Sequence, residues 1–334
     1  MMAGDTSVLD HYLAPLRPFL DSLDVTELVF NRPGEFAVEQ TGQWRWFDAP
    51  QMTADWLRTL AVAAAAATAQ DVSPDTPLCS TVLPTGERCQ IVLSPAAEQL
   101  SLTLRKASPA VLGLDGLAAG GLFDAVRRAS PDLASDERAL VDLRDRGCWA
   151  DFLKLAVVCR RNILISGPTG SGKTTLAKGL AQLIPADERL ITIEDARELV
   201  VPHRNAVHLL YAKGGQGLAK LGVRELLEAA LRMRPDRILL QELRDASAFY
   251  FLRNVNSGHP GSITTVHADS AMLAFEQLTL LVKESDGGRH LAREDIRALL
   301  HMMIDVVVQM RRIGGRYQIT EIYFEPDRKR VLAA

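Results

Sequence analysis

Residues 162–175, NILISGPTGSGKTT, constrain this chain more than any other stretch. Ile163–Ile165 is a short apolar run, and Gly167, Gly170, Gly172, Lys173 and Thr174 follow at G-x-x-x-x-G-K-[ST] spacing. Glycines there let the backbone turn back on itself and set its N–H groups against phosphate oxygens. Lys173 can reach the β- and γ-phosphates, and the Thr174 hydroxyl can ligate Mg²⁺. Pro168, Thr169, Ser171 and Thr175 complete the phosphate-facing segment, and the TLAKGLAQLI that follows reads as a helix whose N-terminus faces the anion. Strand, glycine loop and helix in that order predict a nucleotide-binding loop with ATP and Mg²⁺ as its ligands.

Such a loop needs a parallel sheet to hold it, and the chain after it supplies the pattern. Leu190–Glu194, Val207–Tyr211, Arg237–Gln241 and Ser262–Val266 read as buried strands between helical stretches. Val223, Leu226, Leu227, Ala230 and Leu231 recur at i, i+3, i+4, i+7, i+8, an amphipathic helix that Pro235 stops. Asp245 is expected to cap a helix to about Asn254, and KGGQG to be a loop. Asp305–Arg311 and Tyr317–Phe324 read as a terminal hairpin around Gly314-Gly315.

Residues 1–106 read differently, as an α+β unit. Leu9–Leu20 and the alanine-rich Ala54–Thr68 are helical, and Thr26–Asn31, Glu35–Gln40, Trp44–Phe47, Leu78–Leu83, Arg88–Leu93 and Leu100–Lys106 are strands. In the last strand Leu102 and Leu104 share one face, and Thr103 and Arg105 the other. Residues 107–150 contain SPAVLGLDGLAAGGL, the composition of a connector or hinge, followed by helices at Ser135–Leu143 and Trp149–Cys159. The expected organisation is an α+β domain at 1–106, a connector at 107–150 and an α/β ATPase domain at 151–334.

A length of 334 residues with 47% hydrophobic and 24% charged residues fits an ordinary two-domain globular chain. A net charge of −3 exerts no global pull towards nucleic acid or anionic lipid, so nucleic acid is not a predicted partner. The longest apolar run, Leu60–Ala69, is too short to span a bilayer, which makes a cytoplasmic location the expectation. Cys79, Cys89, Cys148 and Cys159 include no C-x-x-C pair, so neither a zinc site nor a disulfide framework is expected; Cys79 and Cys89 could approach across a hairpin as reduced thiols.

Binding is not hydrolysis, which also needs an acid near the metal and a group to orient water. Glu242 ends one apolar strand, and Glu194 and Asp195 end another. In open α/β sheets such strand ends face the ligand. In GHPGSITTVHA, His259 and His267 flank a glycine-containing turn and a Thr-lined strand, with His267 at the strand's carboxyl end, where it could contact a γ-phosphate.

GPTGSGKTT, TIED, RMRPDRILLQELRD and GHPGSITTVHA, in that order, resemble the Walker A, Asp, Walker B and His boxes of the secretion traffic ATPases. FNRPGEFAVEQTGQW and GERCQIVLSP…LTLRK are similar to the N-terminal half of the VirB-type ATPases of bacterial type IV secretion. The resemblance covers nearly the whole chain. It implies a RecA-like ATPase domain behind an N-terminal α+β domain, in a homohexameric ring with its nucleotide site where the two domains meet. It implies ATP hydrolysis that powers translocation, at the cytoplasmic face of the inner membrane beside other subunits of a secretion complex. By position it makes Lys173 and Thr174 the phosphate and Mg²⁺ residues, Glu194 the catalytic acid, Glu242 the Walker-B acid and a metal contact, and His267 the phosphate sensor. It also makes Arg88 and Arg105 contacts to the nucleotide phosphates. Competing readings are a pilus-assembly or type II secretion motor, whose usual tetra-cysteine module is absent here, and a nucleotide-gated scaffold with little turnover. Gln241 stands where the family usually has Gly before the Walker-B Glu, which puts the hydrolysis rate in question.

Overall fold

In the N-terminal half, period-two patterning builds one antiparallel sheet. The chain runs α1 (Ser7–Leu13), a 3₁₀ turn (Ala14–Leu16), α2 (Arg17–Leu20), β1 (Val25–Phe30), β2 (Glu35–Gln40), β3 (Gln43–Asp48), α3 (Ala54–Ala66), β4 (Leu78–Val82), β5 (Arg88–Val92) and β6 (Ser101–Arg105). The strand order is β3-β2-β1-β6-β5-β4. Thr53 caps α3 by accepting from the Trp56 N–H at 3.2 Å. One sheet face carries Leu28, Phe30, Phe36, Val38, Ile91, Leu102 and Leu104 against the helices. Each such side chain contributes roughly 1.5–3 kcal/mol when fully buried. Cys79 and Cys89 are buried, free thiols on strands joined by the predicted hairpin.

The structure is a computed structural model and describes residues 6–107, 113–126, 132–213, 217–255 and 258–333. Residues 108–112 and 127–131 of the expected connector, and 214–216 of KGGQG, lie outside the described residues. The remaining elements are α4 (Leu114–Ala119), α5 (Ser135–Asp145), α6 (Trp149–Val158), β7 (Ile163–Ser166), α7 (Lys173–Ala181), β8 (Leu190–Glu194), β9 (Ala206–Leu210), α8 (Val223–Ala230), β10 (Arg237–Leu240), α9 (Ser247–Val255), β11 (Ile263–Val266), α10 (Ala271–Glu284), α11 (Arg293–Met303), β12 (Val306–Ile313), β13 (Arg316–Tyr323) and α12 (Pro326–Ala333). Within the stretch expected to be connector, α5 packs into the core of the second half through Leu140, which is fully buried beside Phe152 and Ile165.

Strands β9-β8-β10 and β11-β7-β12 are parallel runs, and β13 closes the sheet antiparallel to β12. A bridge between Glu242 and Thr265 joins the runs at their carboxyl ends, so the order across the sheet is β9-β8-β10-β11-β7-β12-β13. Helices cover both faces: α6 and α7 over Ile165 and Leu239, and α8 to α11 over Ile191, Ile238 and Val307. This is the mostly parallel sheet that the alternation of strands and helices predicts.

The second face of the N-terminal sheet is polar, yet Glu27, Glu39, Gln90 and Thr103 are buried. The second half of the chain covers them. Arg189, fully buried, donates to Met233 O at 2.8 Å and to Asn31 Oδ1 at 2.7 Å, and also to Asn205 Oδ1. Asn31 Nδ2 donates to Asn205 Oδ1 at 3.0 Å, and Arg234 Nε donates to Glu39 at 3.0 Å. Residues 96–98 extend the mostly parallel sheet by pairing with edge strand β9: Leu210 N donates to Ala96 O at 2.8 Å and Glu98 N to His208 O at 3.0 Å. A buried guanidinium held by three elements ties the halves together, because its loss of water is offset only while all its acceptors stay in place.

Candidate functional site

The phosphate loop leaves β7 at Ser166 and enters α7 at Lys173, with Pro168, Thr169 and Gly170 as its exposed crest. Gly172, at the helix start, has φ +91°, a conformation that glycine adopts without strain. A Cβ there would also meet the Tyr317 ring at 2.9 Å, and one on Gly167 would lie 2.5 Å from Met310 O. Ser171 is buried beneath the loop. Thr174 and Thr175 occupy the first turn of α7, whose free N–H groups and dipole favour an anion.

Lys173 is the pivot of the site. Its Nζ donates to Gly167 O at 2.7 Å and Pro168 O at 3.0 Å, and lies 3.3 Å from His267 Nδ1. Burial pulls its pKa below the ordinary lysine value; Glu242 opposes the shift and Arg244 adds to it. His267 Nε2 lies 2.9 Å from Glu242 Oε1, while Arg244 binds Glu242 Oε2 and reaches Asp195 Oδ2 at 3.1 Å. Lys173, His267, Glu242, Arg244 and Asp195 therefore form a continuous charged chain across the carboxyl ends of β7, β11, β10 and β8. Burial alone would raise the Glu242 carboxyl, but the hydrogen bond and charge of Arg244, with His267 and Lys173, bring it below the usual carboxylate range. Glu242 is thus an anion, suited to accept a proton or face a cation.

Glu194 stands apart from this chain. Its buried carboxylate accepts the Glu198 and Leu199 N–H groups, each at 2.7 Å, together with Thr192 Oγ1 at 3.1 Å and Arg197 at 3.4 Å. Those bonds occupy it in shaping the turn after β8. Of the two adjacent acids, Asp195 is the one that faces Glu242 through Arg244.

Arg88 and Arg105 are not brought to the phosphate loop of their own chain. They face each other on β5 and β6, and Arg105 Nε lies 3.4 Å from Glu27 Oε1. Arg105 lines a cavity of about 550 Å³ with Arg160, Arg234, Pro235, Gly258 and His259, residues that precede β7, β10 and β11. That is the amino end of the parallel sheet, whereas the phosphate loop is at the carboxyl end, a strand length of about 13 Å away. Within one chain these two arginines therefore stand at the end of the sheet opposite the phosphate loop. The docked polar face of the N-terminal sheet holds these arginines at the far end. Arg88 lines a second cleft of about 670 Å³ with Gln70, Ser80, Gln90 and Arg232. His259 also belongs to that far end and not to the loop.

Sequence reasoning passed over Arg189, Arg244 and Tyr317. The LRD after Glu242 was visible as a box, but nothing local marks Arg244 as the residue that bridges two strand-end acids. Tyr317 sits in a hairpin far along the chain from the glycine it touches.

The arrangement has counterparts. A family described as type II/IV secretion system protein matches residues 138–313. The chain is 49% identical over 331 residues to the type IV secretion system protein VirB11 of Bartonella quintana, covering 95% of this chain and 93% of the relative. It is 43% identical over 334 residues to VirB11 of Brucella suis, covering 97% and 92%. The crystal structure of the Brucella suis VirB11 ATPase in complex with sulphate superposes with a TM-score of 0.91 at 42% identity, over 97% of this chain and 99% of that one. With sequence and architecture matched over nearly its full length, this chain belongs to the VirB11 family of type IV secretion system ATPases.

Proposed function

We propose that this ATPase works as a homohexameric ring. Its phosphate loop binds MgATP, and the charged chain from Lys173 to Asp195 reads and hydrolyses the γ-phosphate. The observation that carries the proposal is the convergence of Lys173, His267 and Glu242 within hydrogen-bond or ion-pair distance at the start of α7. Phosphate oxygens would replace the Gly167 and Pro168 carbonyls as partners of the Lys173 ammonium, and the α7 amides would hold the remaining negative charge.

The residues present fit Mg²⁺. Thr174 offers a hydroxyl at the loop's end, and Glu242 Oε1 is buried with no well-directed hydrogen bond among the described residues, His267 lying close but out of line. One or two protein oxygens completed by phosphates suit this ion, which when bound would neutralise charge developing between the β- and γ-phosphates. Glu242 orients water or takes its proton, Arg244 and Asp195 hold Glu242 in place, and His267 contacts the γ-phosphate end. Glu194 supports the loop that carries Asp195.

Arg88 and Arg105 enter as residues of a neighbouring protomer. Their exposure and their distance from the phosphate loop of their own chain support that arrangement, and directly opposed arginines favour an anionic ligand between them. Among the described residues no helix is long and apolar enough to cross a membrane, which accords with a peripheral position at the cytoplasmic face of the inner membrane beside other secretion subunits.

Lys173→Ala tests the site. Phosphate release should fall to background while circular dichroism stays unchanged, because the lysine's main partner is the ligand. Turnover at the wild-type rate would sink the assignment.

A further inference from the structure

β12 lies beside β7 only as far as Gln309, which is opposite Ser166. It then continues through Met310–Ile313 beyond the end of β7, with β13 paired along it: Tyr317 opposite Arg312, and Ile319 opposite Met310. The hairpin therefore stands as a wall along the phosphate loop. Directly opposed residues of an antiparallel pair share a face, so Arg312, Tyr317, Met310 and Ile319 project to the same side. It is the loop's side, since the Tyr317 ring packs on Gly172. Tyr317 nevertheless remains 56% exposed and Ile319 39%. Among the described residues the Tyr317 hydroxyl takes no hydrogen bond, and the ring's cationic neighbour is Arg312, 6.0 Å from its centroid.

The order of the strands gives a bound nucleotide a direction. Glu242 and His267, at the ends of β10 and β11, lie on one side of β7, and the β12–β13 wall lies on the other. With the γ-phosphate towards Glu242 and His267, the nucleoside end must leave towards the wall. From β11 to β13 is three strand spacings, about 14 Å, the scale of a nucleoside triphosphate laid across the sheet edge.

We propose that Tyr317, flanked by Ile319 and Arg312, is the platform on which the purine base of the bound nucleotide stacks. This rests on the reading of the phosphate loop as the ATP site. An exposed aromatic face beside an apolar side chain suits a flat heteroaromatic ring, and the neighbouring guanidinium can add a cation–π contact.

Calorimetric titration of the full-length protein with MgATP and, separately, with inorganic tripolyphosphate tests the assignment. Aromatic stacking on a base corresponds to roughly a 5- to 150-fold change in affinity. Tyr317→Ala should weaken ATP by that factor while tripolyphosphate binds as before, and Tyr317→Phe, which keeps the aromatic face, should rescue ATP binding. Equal losses for both ligands would mean that Tyr317 only buttresses Gly172, and undiminished ATP affinity in Tyr317→Ala would remove it from the site; either result overturns the proposal. If the alanine variant does not fold, Tyr317→Leu, which keeps bulk against Gly172, supplies the same comparison. Wild-type protein that binds neither ligand would overturn the loop assignment itself, and this proposal with it.

Discussion

Glu27 lies on the polar face of β1, 3% exposed, with Oε1 3.4 Å from Arg105 Nε and Oε2 without a partner among the described residues. Burial pushes its pKa from an ordinary 4.5 up to about 7; Arg105 opposes the shift, Glu39 adds to it, and Arg234 and Arg189 oppose it. Arg105 is largely exposed, so water screens its attraction and burial prevails. Between those pH values the folded chain holds a proton that the unfolded chain has released. The stability that this raised pKa confers is complete below pH 4.5 and is lost as pH rises through about 7. At 1.36 kcal/mol per unit, the loss across the interval is roughly 3 kcal/mol. Glu27→Gln keeps the shape and cannot ionise. Its stability relative to wild type should therefore rise by roughly 3 kcal/mol between pH 4.5 and pH 8. Urea unfolding followed by tryptophan fluorescence measures this, since Trp44, Trp46 and Trp56 lie in the N-terminal half and Trp44 sits beside Arg189 and Arg234. A difference between variant and wild type that stays flat across that range, or that changes with the opposite sign, would refute the reasoning.

Glu242→Gln should retain ATP binding while phosphate release slows roughly 10²- to 10⁴-fold, the range of a lost general base; equilibrium binding and steady-state turnover on one preparation decide it. Asp195→Asn should lower turnover with little change in melting temperature. Glu194→Ala should do the reverse, costing roughly 3 kcal/mol as the Glu198 and Leu199 N–H groups lose their acceptor. A Glu194 variant of full stability and no activity would instead support it as the catalytic acid. Arg105→Ala should lower turnover by as much as roughly 10³–10⁵ if the arginine acts on the transition state. Mixing it with Lys173→Ala should recover part of that activity, because a hybrid ring then pairs an intact loop with a neighbour's intact arginine; two inactive variants that stay inactive when mixed would argue against sharing between protomers.

The parts of this protein that depend on neighbours within a few residues were legible in its sequence. The phosphate loop is a local contract between glycine conformations and a helix start, and Gly172 at φ +91° followed by α7 meets it. Strand alternation placed Leu102 and Leu104 against Thr103 and Arg105, and the helix–strand succession required a parallel sheet with Glu242 and His267 at its carboxyl ends. What the tertiary structure alone decided are the contacts between residues distant in sequence. Glu194 and Asp195 end one strand side by side, and only the tertiary structure closes the turn after β8 on Glu194 and sets Asp195 towards Glu242 through Arg244. The far-end location of Arg88 and Arg105 follows from how the N-terminal sheet docks, and that docking is written in Asn31, Arg189 and Asn205, none of which the sequence marks as a docking residue. Tyr317 meets Gly172 because β12 outruns β7, a difference in strand length that no local pattern reveals. Local turn and helix chemistry is set by short-range sterics and hydrogen bonds, whereas the mutual placement of the two halves depends on desolvated polar contacts that exist only once both have folded.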